Sequence, residues 1–165
     1  MAGYETLTAD RVKPGDALPD LSVEVSATTV VLGAMASRDW RPMHHDYKFA
    51  TERNGVQDIF VNTPNQAAWF ERYISDWAGP YGRLGRIQFR MRDSVFPDDT
   101  MVFSGTVKDV STDAAGCTWA ALDLTLKVGN KVVTACSARL ALPASDGDNP
   151  WKRKGDQWRP EPAAA

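Results

Sequence analysis

Apolar residues recur with two different periods along the chain, and the change between them separates a helical region from a strand-rich one. Between residues 63 and 79 the period is helical, because four apolar positions share one helix face: Ala67, Phe70, Ile74 and Trp77. Thr63 suits an N-cap and Pro64 the first turn, and Gly79 suits the end of the helix. This stretch is therefore the principal predicted helix.

Beyond that helix the period changes to two, as in half-buried strands. The alternating segments predict strands over residues 86–92, 101–110, 120–128 and 131–142, with an earlier strand over 21–25 and a short helix over 28–38. A long amphipathic helix followed by antiparallel strands predicts an α+β domain in which the sheet wraps the helix. Because one helix covers only one face of such a sheet, we expect a second subunit to cover the other face or an edge.

The length and composition predict one domain with a polar tail. The chain has 165 residues, of which 43% are hydrophobic and 24% charged, as in ordinary globular proteins. We expect a lead-in over residues 1–20, a folded domain over 21–143 and a tail over 144–165. The tail is too polar to form its own core, and we expect it either to be flexible or to dock Trp151 and Trp158 on a partner.

Charge and cysteine usage narrow the function classes. The net charge is −2 without a basic block, which argues against nucleic-acid binding. We find neither an apolar run of membrane-spanning length nor the pattern of a signal peptide. Cys117 and Cys136 lack metal-ligand spacing and are expected to be buried thiols, so the sequence predicts a cytoplasmic protein.

The candidate chemistry lies in residues 36–50, which hold both histidines of the chain. Asp39 precedes His44 by five residues, and a carboxylate and an imidazole on one short loop can act together as general acid and base. His45 would point the other way and is expected to be structural, and Asp46 is expected to cap the next turn. Two adjacent histidines with scattered carboxylates do not predict a metal site.

The same loop carries a family resemblance. Asp39-Trp-Arg-Pro-Met-His44-His-Asp46, followed by Phe49-Ala50, resembles the signature Asp-x-Asn-Pro-x-His-x-Asp…Phe-Ala of MaoC-like, hot-dog-fold enoyl-CoA hydratases. Phe96-Pro-Asp-Asp-Thr100 resembles the family's Pro-Gly-Asp-Thr turn. Asp58-Ile-Phe-Val-Asn62 and Asp76-Trp-Ala-Gly-Pro80 resemble one branch, the small subunit of heteromeric enoyl-CoA hydratases that act in steroid side-chain degradation.

This resemblance implies a hot-dog fold and hydration of a trans-2-enoyl-CoA, plausibly a steroid side-chain thioester, to a 3-hydroxyacyl-CoA. Asp39 and His44 would hold the attacking water. The start of the central helix, at Asn62 and Thr63, would bind the substrate and its developing oxyanion. No cofactor is implied beyond the CoA of the substrate, and the expected partner is a second MaoC-like chain, in a heterodimer or heterotetramer.

Four positions depart from the family pattern. Asn62-Thr63 stands where most members have His-Gly, Arg41 stands where the signature has asparagine, and Asp98 stands where the turn has glycine. In the steroid branch two unlike chains pair, one supplying the aspartate and histidine while the other shapes the substrate cavity. The missing glycine at the helix start fits that division.

Other interpretations remain open from the sequence. The arginines Arg86, Arg90 and Arg92 predict either a solvated strand face or a site for CoA phosphates. The chain could be a homodimeric (R)-specific hydratase or an acyl-carrier-protein dehydratase. It could also be a non-catalytic acyl-CoA-binding subunit, although a scaffold would not need both Asp39 and His44.

Overall fold

A computed structural model, which describes residues 6–161, shows a five-stranded antiparallel sheet wrapped around one long helix. Its main elements are β1 (Ala17–Glu24), α1 (Ala27–Ala36), α2 (Thr63–Ala78), β2 (Arg83–Met91), β3 (Thr100–Thr112), β4 (Thr118–Val128) and β5 (Lys131–Leu142). The strands follow the order β1-β3-β4-β5-β2, so β1 and β2 form the two edges. This is the predicted α+β hot-dog fold.

The predicted domain boundaries need one adjustment. The sheet begins at Ala17 rather than at residue 21, because Ala17 and Leu18 pair with Thr106 and Gly105 of β3 ahead of a bulge. The ends of the predicted lead-in and tail, residues 1–5 and 162–165, lie outside the described residues. No helix within residues 6–161 is long and apolar enough to cross a membrane.

The central helix α2 begins one residue earlier than predicted. Its N-cap is Asn62, whose side-chain oxygen accepts a hydrogen bond from the N–H of Asn65, so Thr63 is the first helical residue and Pro64 the second. Asparagine is as good an N-cap as aspartate or serine. The helix ends at Gly79 with φ of 75°, a left-handed conformation that favours glycine.

The buried face of α2 includes a glutamine that the apolar pattern missed. Gln66 is fully buried, and its Oε1 accepts a hydrogen bond from Thr134 of β5 at 2.8 Å. Ala67 and Trp77, which the pattern placed on the core face, are only half-buried. A buried amide with a side-chain partner has the burial of a core residue but not its hydrophobicity, and periodicity in apolar residues cannot detect it.

Aromatic packing joins α2 to the sheet. The ring of Phe70 meets Phe103 of β3 edge-on at 5.1 Å and stacks near Phe89 of β2 at 6.1 Å. Tyr73 also lies against Phe103, at 6.0 Å. These contacts fix the helix against β3, the strand beside the β1 edge, and against the β2 edge of the sheet.

The short helix α1 lies close to the start of α2. A capping box between Ser26 and Thr29 begins α1. A Cβ added to Gly33 would lie 1.8 Å from the Asn65 side chain, so glycine permits this approach. The end of α1 is therefore held beside the first turn of α2, and the loop that follows starts next to Asn62.

The C-terminal arm, defined as residues 144–161, packs against its own sheet. Trp158 lies on Trp119 with ring centroids 4.9 Å apart, and the Arg83 guanidinium lies 3.6 Å from the Trp158 ring. Arg139 stacks on Trp119 and donates to backbone carbonyls of the arm, at 3.2 Å for Pro160. These contacts hold Trp158 on the chain's own sheet while Trp151 stays largely exposed, and docking of the arm on a partner stays a prediction. Arginine–tryptophan stacking is absent from hydrophobic patterns, so the sequence did not reveal it.

Replacing Trp158 with alanine is expected to detach the arm while leaving the sheet folded. The variant removes the ring that lies between Arg83 and Trp119. We expect limited trypsin digestion to cleave faster at Arg153 and Lys154, with little change in far-ultraviolet circular dichroism. Trp151→Ala is the matched control, because Trp151 is largely exposed and contacts Arg83 at the longer distance of 5.4 Å. Equal protection of the arm in the Trp158 variant and the wild type would contradict this role.

Candidate active site

The loop between α1 and α2 turns sharply before Asp39. The Ser37 hydroxyl donates to the Gly33 carbonyl at 2.7 Å, and Arg38 adopts a left-handed φ of 54°. The N–H of Asp39 then returns to the Ala34 carbonyl at 2.9 Å. These bonds hold Asp39 at the end of α1, and its side chain is only 8% exposed.

His44 is buried and its orientation is fixed. It ends the 3₁₀ turn Pro42–His44, and its ring is 3% exposed. Its Nδ1 lies 2.8 Å from the Phe60 carbonyl oxygen. Because a carbonyl can only accept, Nδ1 carries the proton of that bond. Nε2 then faces Asp39, 3.6 Å from Oδ2, so the two predicted catalytic groups lie side by side.

Three donors surround the Asp39 carboxylate. Arg41 binds both oxygens, Nε to Oδ1 and Nη2 to Oδ2, each at 2.8 Å. The Asn62 amide donates to Oδ2 at 3.1 Å and to the Ser37 hydroxyl at 2.8 Å. The hydrogen bonds from Arg41, with a smaller contribution from Asn62, hold the pKa of Asp39 well below its usual range although burial opposes this.

Asn62 and Thr63 both lie at the site, in different positions. Asn62 is 1% exposed, and its side chain caps α2 and holds Asp39 instead of opening toward a ligand. Thr63 is exposed, and its hydroxyl lies 3.3 Å from the sulfur of Met91. The Asn65 N–H is taken by the cap and Pro64 has none, so the Thr63 N–H is the first-turn donor that meets no acceptor within residues 6–161.

The three arginines lie on β2 and directly after its end. Arg86 is exposed on β2 and forms an ion pair with Glu161 of the C-terminal arm. Arg90 is exposed on the same strand, and Arg92 follows the strand's last residue, Met91. Since Met91 contacts Thr63, the Arg90 end of β2 lies beside the start of α2. Arg92 is exposed like Arg86 and Arg90 but lies one residue beyond the end of the strand, and a shared site for CoA phosphates stays a prediction.

Two neighbours of His44 and the turn at Asp98 lie outside the pair formed by Asp39 and His44. His45 is exposed, whereas Asp46 accepts a hydrogen bond from the Phe49 N–H at 3.0 Å and so caps the next turn, as predicted. Asp98 adopts a left-handed φ of 70°, which a glycine would take more readily, and still bonds through its N–H to Val25 at 2.7 Å. The turn thus keeps its shape without the family's glycine, since aspartate tolerates this conformation.

Arg41 is the residue of the site that sequence reasoning missed. The departure from the signature at position 41 was visible, but its consequence required knowing that the guanidinium reaches back two residues to Asp39. A cation two residues from a candidate catalytic carboxylate was the available signal.

Comparisons with known proteins identify the family of the chain. Over 97 residues the chain is 37% identical to the 3-oxo-4,17-pregnadiene-20-carboxyl-CoA hydratase beta subunit of Mycobacterium tuberculosis, covering 59% of this chain and 74% of that protein. The chain belongs to the MaoC-like, hot-dog-fold hydratases. No family model matches it.

Solved structures of the family share the fold. The ChsH1-ChsH2 complex of Mycobacterium tuberculosis contains a chain with a TM-score of 0.70 and 27% identity, covering 78% of this chain and 97% of that one. A MaoC-like dehydratase from Rhodospirillum rubrum has a TM-score of 0.72 over 82% of this chain and 96% of its own. At 15% identity the second likeness shows the fold alone. Within this family fold, the chain places the Asp39 carboxylate 3.6 Å from the His44 imidazole.

Proposed function

We propose that this chain is the catalytic subunit of a heteromeric hydratase that adds water to a trans-2-enoyl-CoA and yields a 3-hydroxyacyl-CoA. The observation that carries the proposal is the placement of Asp39 Oδ2 3.6 Å from His44 Nε2, beside the start of α2. A water bonded to both groups would lie between a carboxylate and an imidazole, the two side chains best suited to moving its proton.

The start of α2 would stabilise the enolate. Addition of water at Cβ moves charge onto the thioester oxygen, and a backbone donor at a helix N-terminus can meet that charge. In this chain the available donor is the Thr63 N–H, because the cap occupies Asn65 and Pro64 lacks a proton. We therefore assign Thr63 to the oxyanion and Asn62 to the support of Asp39.

We infer a bulky substrate of the steroid side-chain class. The relative that shares 37% identity is named for a pregnadiene carboxyl-CoA, which is polycyclic and apolar. Four of the six exposed large hydrophobic residues within 6–161 lie on α1 and around Asp39 and His44: Leu32, Met35, Trp40 and Tyr47. An apolar acyl group or a partner chain would cover this surface. The reaction requires no cofactor besides the CoA of the substrate.

The proposed partner is a second MaoC-like chain. The helix α2 covers only one face of the sheet, and no strand within residues 6–161 pairs with the outer edge of the nine-residue strand β2. The relative is named a beta subunit, and a structural neighbour forms a complex of two chains.

The proposed location is the cytoplasm. Two free, buried thiols, Cys117 and Cys136, suit its reducing conditions.

The lone chain is expected to hydrate enoyl-CoA poorly and to gain activity when its partner is added. The test follows loss of the enoyl-thioester absorbance with a steroid side-chain enoyl-CoA and, as control, crotonyl-CoA. It compares the chain alone, the candidate MaoC-like partner alone and their mixture, with size-exclusion chromatography of each sample. We expect a joint peak and activity on the steroid thioester only in the mixture.

The outcomes separate the alternatives. Full activity of the lone chain on crotonyl-CoA would favour a homodimeric (R)-specific hydratase. Turnover only of acyl-carrier-protein thioesters would favour a dehydratase. A mixture that binds steroid enoyl-CoA but keeps full activity when Asp39 and His44 are both replaced would make this chain a non-catalytic subunit.

A further inference from the structure

Arg41 occupies an unusual place for an exposed residue. Its side chain is 62% exposed, yet its guanidinium binds both oxygens of the nearly buried Asp39 carboxylate at 2.8 Å. A bidentate pair of this kind is the strongest common geometry between arginine and a carboxylate. Arg41 replaces the asparagine of the family signature, and an asparagine brings neither a charge nor a fork of two donors.

We propose that Arg41 is a positioning residue that keeps Asp39 a carboxylate throughout the reaction and leaves proton transfer to His44. This inference rests on the proposed hydratase function and assigns the two roles within that site. Asp39 then orients the water and faces the imidazolium when it forms, and His44 is the group whose protonation changes.

The groups around Asp39 support this division. Within residues 6–161 the charged or titratable side chains that face it are Arg41 from its own loop and His44 from the following turn. Helix α2 contributes the neutral amide of Asn62, and α1 contributes the Ser37 hydroxyl through that amide. No second carboxylate is present in this set to share a proton with Asp39. The Arg41 hydrogen bonds lower the pKa of Asp39, which agrees with the geometry.

The orientation of His44 completes the argument. Nδ1 donates to the Phe60 carbonyl, so a neutral ring presents the lone pair of Nε2 toward Asp39 and the water. The lone pair of Nε2 can accept a proton directly, whereas the bidentate Arg41 favours the ionised form of Asp39 and opposes its protonation. A proton released by the water therefore moves to Nε2 and not to Asp39.

The proposed addition of water proceeds through an enolate and conserves every proton. The water oxygen bonds to Cβ as one of its O–H bonds breaks, and that proton moves to Nε2 of His44. The electron pair of the Cα–Cβ double bond forms the enolate, whose oxygen meets the Thr63 N–H. The imidazolium then returns its proton to Cα, which restores neutral His44 and completes the addition of water.

The first test needs no activity. The ¹³Cγ resonance of Asp39, assigned by its loss in Asp39→Asn, is followed by NMR as the pH falls from 7. In the wild type this resonance should not titrate in the ordinary aspartate range. In Arg41→Asn, which restores the signature residue, the midpoint should rise by about 1 to 3 pH units. Arg41→Lys, which keeps the charge without the fork, should be intermediate.

The control is Arg38→Asn. It removes the same charge from the same loop, and Arg38 has a left-handed φ of 54° that asparagine tolerates. Its Asp39 resonance should match the wild type. An ordinary titration of Asp39 in the wild type, or an unchanged midpoint in Arg41→Asn, would overturn the assignment.

Kinetics give an independent readout. In the active complex of the wild type, the fall of kcat/KM at low pH should follow the protonation of one group. In Arg41→Asn the protonation of Asp39 should add a second fall at lower pH. The kcat should fall in this variant without a rise in KM. A rise in KM with an unchanged profile would instead make Arg41 a substrate-binding residue. If no variant hydrates any enoyl-CoA, the proposed function fails, whereas the NMR titration still decides whether Arg41 holds Asp39 ionised.

Discussion

Replacing His44 with alanine is expected to lower kcat/KM for hydration of the enoyl-CoA by about 10²- to 10⁴-fold. The loss should be this large because Nε2 of His44 is the proposed acceptor of the water proton and lies 3.6 Å from Asp39. Asp39→Ala should cost a similar factor, since the water would lose its second anchor. The measurement is the decay of the enoyl-thioester absorbance in the reconstituted complex.

The control for His44→Ala is His45→Ala. His45 is exposed and adjacent, so this variant changes the same residue type in the same loop without reaching the site. We expect it to retain wild-type activity. Because His44 also bonds to the Phe60 carbonyl, thermal unfolding of each variant should be recorded. Wild-type turnover by both the Asp39 and the His44 variants, in intact complexes, would remove these residues from the mechanism.

Replacing Phe70 with alanine is expected to lower the free energy of unfolding by about 3 to 5 kcal/mol. Phe70 is fully buried at the middle of α2 and touches Phe103 and Phe89, so its loss leaves a cavity between the helix and two strands. Since domains of this size are stable by only about 5 to 15 kcal/mol, the variant would lie close to unfolding at moderate temperature. Urea denaturation followed by circular dichroism measures the change.

Trp69→Ala is the matched control for Phe70→Ala. Trp69 is the preceding residue of the same helix and has the larger ring, but it is only half-buried and lies under Arg72 at 5.0 Å. We expect a clearly smaller loss of stability, because much of its ring already contacts solvent. Equal losses in the two variants would mean that the core is not centred on Phe70.

The sequence by itself determined the fold class and the catalytic candidates. A helical period over 63–78 followed by alternating strands predicted an α+β domain in which the sheet wraps the helix, because burial against one partner face imposes those periods directly on the chain. The resemblance of the loop motif to a known family added the hot-dog fold. Asp39 and His44 were identifiable because the chemistry needs those residue types at a short spacing. The signature around them resembled the correct family.

The tertiary structure decided the contacts made by polar side chains. Gln66 is buried against Thr134, Asn62 both caps α2 and holds Asp39, and the C-terminal arm is fixed by stacked arginines and tryptophans. Each of these depends on a partner that is distant along the chain, so hydrophobic periodicity carries no record of it.

Arg41 was visible in the sequence, but its contact with Asp39 was not. Its presence at a signature position was readable in the sequence, yet only the folded loop shows its guanidinium bound to both oxygens of Asp39. The direction of an exposed arginine depends on the turn that Arg38 and Pro42 impose on the loop, and not on residue type. The ionisation of the catalytic carboxylate is therefore a property of the three-dimensional site.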